Sequence, residues 1–157
     1  MAHTYFKLIH IAAVMIFLGN IITGLFWMRF AVKTRDLKII RHTMDAIIKL
    51  DRYFTVPGVV VITAAGIFAA IYGHFPILGT GWILWSIIMF TISGIVFGVR
   101  VAPLQKRIYN MTLDKEMLPD SEWNRFMKLY LQWDIWGIIA ILTPMAAFVM
   151  MTLKVPS

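Results

Sequence analysis

Four apolar runs, each near the ~20 residues a helix needs to cross hydrocarbon, alternate with two stretches that hold nearly every cationic side chain. The runs cover about residues 5–28, 56–73, 81–102 and 133–153, and none has a charged residue at its middle. Inside a bilayer no water is available to satisfy exposed amides, so each run must close its hydrogen bonds internally, as a helix. The sequence therefore predicts an all-α fold: four transmembrane helices in an antiparallel bundle, forming a single integral membrane domain over residues 1–157.

The distribution of positive charge predicts the orientation. Arg29, Lys33, Arg35, Lys38, Arg41, Lys49 and Arg52 lie between the first two spans, and Arg100, Lys106, Arg107, Lys115, Arg125 and Lys128 between the last two. Of the 15 basic residues only Lys7 and Lys154 are left for the other face, and the connection at 73–80 has none. Basic loops stay on the cytoplasmic side, which puts both long loops inside and both termini outside. Aromatic residues favoured at headgroup level agree: Tyr5, Tyr72, Trp82 and Trp85 fall at the outer ends, and Trp27, Tyr53, Trp133 and Trp136 at the inner ends.

A chain with 60% hydrophobic residues and a mean hydropathy of +0.77 suits lipid surroundings rather than water. Its net charge of +7, gathered on the inner side, suits anionic lipid headgroups; no nucleic-acid motif accompanies it. The absence of cysteine excludes disulfides, thiolate metal sites, iron–sulfur clusters and cysteine catalysis. The first span is too long for a signal-peptide core and is expected to be retained.

Between spans one and two, Leu37, Ile40, Met44, Ile47 and Ile48 recur at helical spacing among polar residues. This predicts a cytoplasmic amphipathic helix lying on the inner membrane surface. Thr55 is placed to cap span two, with Pro57 just inside its start. Pro103 is placed to end span three, and a short helix before Asn110 should be followed by one beginning after Pro119 that runs into span four. Ala12, Gly19 and Thr23 on span one, and Gly94 with Gly98 on span three, form small-residue stripes expected to be close-contact seams. Pro144 in span four removes the amide that would bond Ala140, leaving a carbonyl for Thr143 or a neighbour to satisfy.

Reactive groups are few. His3 and His10 are seven residues apart on one face of span one, and His74 ends span two on the same outer side; His42 belongs to the inner surface. Phe6, Ala13, Phe17 and Gly24 share the His10 stripe, with Asn20 at its margin, an arrangement suited to a flat apolar cofactor such as b-type haem. His10 and His74 are the candidate cofactor ligands, and His3, His10 and His74 the candidate metal ligands, with a methionine as a further ligand. The competing reading is structural: a neutral imidazole hydrogen-bonded to a carbonyl or to interfacial water. No zinc-protease, paired-carboxylate or phosphate-loop pattern exists. Asp134 at the inner lip of span four is expected to pair with Arg29, Arg52 or Arg100 as an anchor, and the lack of any other acid in the spans weighs against a carrier.

The run Leu8-Ile9-His10-Ile11 with Gly19-Asn20, the segment Phe54-Thr55-Val56-Pro57-Gly58, and Trp133-Asp134-Ile135-Trp136-Gly137 through Met151 to Lys154 together resemble a bacterial family of predicted four-span integral membrane proteins of unknown function. That resemblance covers essentially the whole chain and implies a bacterial inner-membrane location and four helices, with no activity attached. The histidine early in span one is also similar to the pattern in copper-resistance D permeases and membrane-embedded protoporphyrinogen oxidases, which implies a haem or metal ligand at His10 alone. Three classes remain open: a redox or cofactor-binding protein acting on quinone, porphyrin or copper through His10; a non-catalytic subunit or assembly partner, bound to another protein or to copies of itself; and a small-molecule or ion permease.

Overall fold

The computed structural model describes residues 1–156. It is helical, with α1 Ala2–Thr34, α2 Leu37–Leu50, α3 Val56–Tyr72, α4 Gly81–Val96, α5 Ala102–Thr112 and α6 Asp120–Leu153. Two π turns, Asp51–Thr55 and Phe97–Val101, join α2 to α3 and α4 to α5 without a break. The result is four helices long and apolar enough to span a membrane: Ala2–Thr34, Leu37–Tyr72, Gly81–Thr112 and Asp120–Leu153. At ~1.5 Å per residue each is about 50 Å long, against ~30 Å of hydrocarbon.

This continuity corrects three local expectations. Thr55 does not cap a new helix; its hydroxyl donates to Asp51 one turn back, at 2.7 Å. Pro57 and Pro103 neither start nor stop a helix, because each follows a π turn in which the Val56 or Ala102 amide reaches back five residues to Asp51 or Phe97. A proline ring collides with the carbonyl four residues earlier, and the wider turn moves that carbonyl aside. The last helix does run unbroken from Asp120 into the fourth span.

The amphipathic helix is also placed differently. α2 has the expected stripe, but Leu37, Ile40, Met44 and Ile47 are buried in protein rather than laid on lipid. They pack with Met28, Ala31 and Val32 of α1, Leu104 and Ile108 of α5 and Phe126, Tyr130 and Trp133 of α6. Asp36 starts α2 by accepting the Lys38 amide at 2.8 Å, and Arg35, with φ 56°, closes α1, so the chain reverses within two residues. α2 thus returns beside α1 and buries its stripe in a four-helix core at the basic end.

Within the apolar region the helices form two antiparallel pairs, α1 with α3 and α4 with α6. Their fastenings follow one rule. His3 and His10 place Nδ1 2.8 Å from the carbonyls of Ala69 and Ile62, while Ser86 and Ser93 donate to the carbonyls of Ala147 and Ala140 at 3.2 and 2.5 Å. Ser93 is the neighbour that serves the carbonyl left by Pro144; Thr143 donates to Ile139 instead. Close approach of α3 to α1 needs glycine, since a Cβ at Gly66 would lie 3.0 Å from the His10 ring and one at Gly73 2.8 Å from that of His3. The seams expected elsewhere are open: Ala12, Gly19 and Thr23 are exposed, and neither Gly94 nor Gly98 has a neighbour within 4 Å of a built Cβ.

Candidate functional site

Asp51 continues the buried stripe of α2. It follows Ile47 by four residues and precedes Thr55 by four, so helical geometry carries both polar groups into the interior. Only 8% of Asp51 is exposed. Its Oδ1 accepts from Asn20 Nδ2 at 3.2 Å and from the Thr55 hydroxyl at 2.7 Å, and its Oδ2 accepts from Gln105 Nε2 at 2.8 Å. Asn20 also donates to Thr55 at 2.9 Å. Among the described residues no cation lies within ion-pair distance of this carboxylate. The carboxylate is thus buried and held by neutral donors from three long helices.

A cavity of ≈ 30 Å³ adjoins the carboxylate, lined by Asn20, Gly24, Asp51, Gln105, Trp133 and Gly137 among others. Every long helix contributes to it, and so do both π turns, through Asp51, Phe97 and Val101. Trp133 is 2% exposed, and its indole nitrogen has no hydrogen-bond partner among the described residues. Buried indole N–H groups normally find an acceptor. Trp133 and Asp51 thus line one cavity.

The histidines fall elsewhere. The His10 stripe is filled by α3, with Phe6 stacked on Phe68 and Tyr72 and Phe17 beside Gly58. Imidazole-to-carbonyl bonds at His3 and His10 match the structural alternative. His74 lies exposed in the connection after α3, with φ 58°. No group of three or more His, Asp or Glu residues stands at metal-holding distance among the described residues, so His3, His10 and His74 are not brought together as one ligand set. His42 lies on α2.

The anchor expected at Asp134 forms with Arg29, whose Nε and Nη2 donate to the two carboxylate oxygens at 3.1 and 3.0 Å. The other named partners do not join it. Arg100 lies over the Trp136 ring at 5.2 Å, and Arg52 is exposed.

A family described as "Predicted integral membrane protein (DUF2269)" matches residues 4–155. The chain belongs to this family. No curated protein and no solved structure matches it. Membership therefore adds the membrane location and leaves the chemistry to the residues themselves.

Asp51, Gln105 and the Trp133 indole were not singled out by the sequence. A usable signal existed for the first: Leu37, Ile40, Met44, Ile47, Asp51 and Thr55 keep helical spacing across the apparent end of the basic stretch. An acid inside an apolar stripe is a buried acid. Gln105, three residues before Ile108, lies on the buried face of α5, whereas nothing in sequence distinguishes the Trp133 nitrogen from the other belt tryptophans.

Proposed function

We propose that this membrane protein is a small permease of the ion-coupled class, in which Asp51 takes up and releases the coupling cation. One observation carries the reading: a carboxylate is buried where all four long helices converge, with neutral donors and, among the described residues, no cationic partner. Holding such a group away from water is costly, which supports a functional role beyond packing. The surrounding architecture suits movement about this point. α1/α3 and α4/α6 are fastened within each pair, and no Cα of α3 comes within 8 Å of one in α4 or α6. Phe17 of α1 reaches Phe90 of α4 across the division, ring centres 5.6 Å apart.

In this reading the basic end faces the cytoplasm of a bacterium, both termini lie outside, and Asp51 stands in the inner half of the hydrocarbon, toward its middle. Asn20 is eight residues, ~12 Å along the helix, inside Met28. The cation is exchanged with the inner side, and the solute pathway follows the division between the two pairs.

The test is a flux measurement in proteoliposomes that enclose a pH-sensitive dye, with imposed gradients of protons, sodium or potassium. The wild-type protein should dissipate at least one gradient faster than protein-free vesicles, and Asp51→Asn should lose that conductance while remaining folded. If wild type and Asp51→Asn leak equally under every gradient, the permease reading is wrong.

A further inference from the structure

The ion itself is addressed by the direction in which the donors point, an argument that rests on the reading of Asp51 as the exchanging group. A carboxylate offers about four lone-pair positions. Asn20 and Thr55 occupy two on Oδ1, and Gln105 occupies one on Oδ2. One position on Oδ2 remains. Hard metal cations bind through oxygen, yet here both amides turn their NH₂ groups, the positive ends of their dipoles, toward the carboxylate. Presenting oxygens instead would require both amides to turn over, breaking their bonds to Asp51 and the Asn20 bond to Thr55. A proton needs no such rearrangement.

Trp133 supplies the second, independent observation. Trp133 lines the same cavity, and its indole N–H has no acceptor among the described residues. A water requires roughly 10–15 Å³ of space together with polar partners, and the cavity has ≈ 30 Å³. A water there can accept from the indole and donate to the carboxylate.

We infer that Asp51 is a proton site served by a water held between the Trp133 N–H and the open position on Oδ2. The step is a transfer from a hydrated proton: an O–H bond of the hydronium breaks, its electron pair stays on the water oxygen, and a new O–H bond forms on Oδ2. The products are a neutral carboxylic acid and water. The reverse step returns the carboxylate. Nothing is oxidised or reduced, and no co-reactant is consumed.

Infrared difference spectroscopy on the full-length protein in lipid nanodiscs tests this, with pH stepped at constant salt and sodium, potassium or lithium stepped at constant pH. A pH step should produce a carboxylic C=O band that shifts in D₂O and is lost in Asp51→Asn, while the cation steps should produce none. Trp133→Phe, which keeps a ring and removes the N–H, should shift that band. In the wild type, H₂¹⁸O should shift a water O–H band that appears with it, a measurement independent of whether the Trp133 variant folds. A cation-driven band at fixed pH that depends on Asp51 would overturn the proton assignment and leave Asp51 as an ion site. No Asp51-dependent band under either condition would overturn both readings. A band unmoved by Trp133→Phe, or an absent water band, would remove the water bridge.

Discussion

Ser93→Ala should destabilise the protein more than Ser86→Ala, although both serines are buried, sit seven residues apart on α4 and donate to alanine carbonyls on α6. The difference lies in what each carbonyl keeps. Ala147 retains a helical donor, because residue 151 has an amide, whereas Ala140 faces Pro144 and has only Ser93. Removing an ordinary side-chain bond in a membrane protein costs on average about 0.6 kcal/mol; stranding a buried carbonyl costs about 1–3 kcal/mol. Ser86→Ala should therefore cost about 0.6 kcal/mol and Ser93→Ala about 1.5–2 kcal/mol. Pro144→Ala restores the missing amide, so in that background Ser93→Ala should fall to about 0.6 kcal/mol, a coupling near 1 kcal/mol. Reversible unfolding in mixed detergent micelles, monitored by loss of helical circular dichroism, measures all four corners of the cycle. Additive costs, or equal costs at Ser86 and Ser93, would refute the assignment of Ser93 to the proline-orphaned carbonyl.

Gly66→Ala should lower the unfolding midpoint because its Cβ would press on an imidazole tied to Ile62, and His10→Ala should suppress part of that loss; Gly137→Ala, which meets only the flexible end of Leu25, should be milder. Reporters fused after Lys154 and near Thr112 should give opposite readouts, extracytoplasmic and cytoplasmic, and a cytoplasmic signal at Lys154 would reverse the proposed orientation. Anionic-lipid preference, where present, should come from exposed cations of the intact protein, not from the buried stripe of α2. Gln at Lys33, Arg52 and Lys106 should weaken enrichment of anionic lipid around the purified protein by about 1 kcal/mol per charge, less at high salt; unchanged enrichment would exclude these positions.

The four-helix architecture was legible because lipid demands long apolar runs, and a hydropathy window registers just that. It failed where the helices outgrow the lipid. Past the hydrocarbon, α2 and α5 exchange lipid contact for protein contact, so charged outer faces hide stripes as buried as any in the spans. Pro57 and Pro103 reinforced the wrong boundary, since proline ordinarily marks where a helix starts or stops. In each case the π turn begins six residues before the proline, at Asp51 and Phe97, and lets the helix pass through. That turn brings Asp51 against Asn20, a contact no span boundary drawn at residue 56 would allow.

The seams were misplaced for a related reason. A spacing of four suggested contact at Gly94 and Gly98, yet both antiparallel pairs are fastened at a spacing of seven: His3 and His10 to Ala69 and Ile62, Ser86 and Ser93 to Ala147 and Ala140. Helices that cross at a shallow angle return to the same partner after two turns, so polar groups seven apart face one neighbouring backbone. The interval between His3 and His10 is the same as that between the two serines. Asp51 does not fit this rule. Its three donors come from α1, from its own helix and from α5, a convergence that fastening one pair of helices does not require. That difference sets the carboxylate apart from the paired fastenings of both the histidines and the serines.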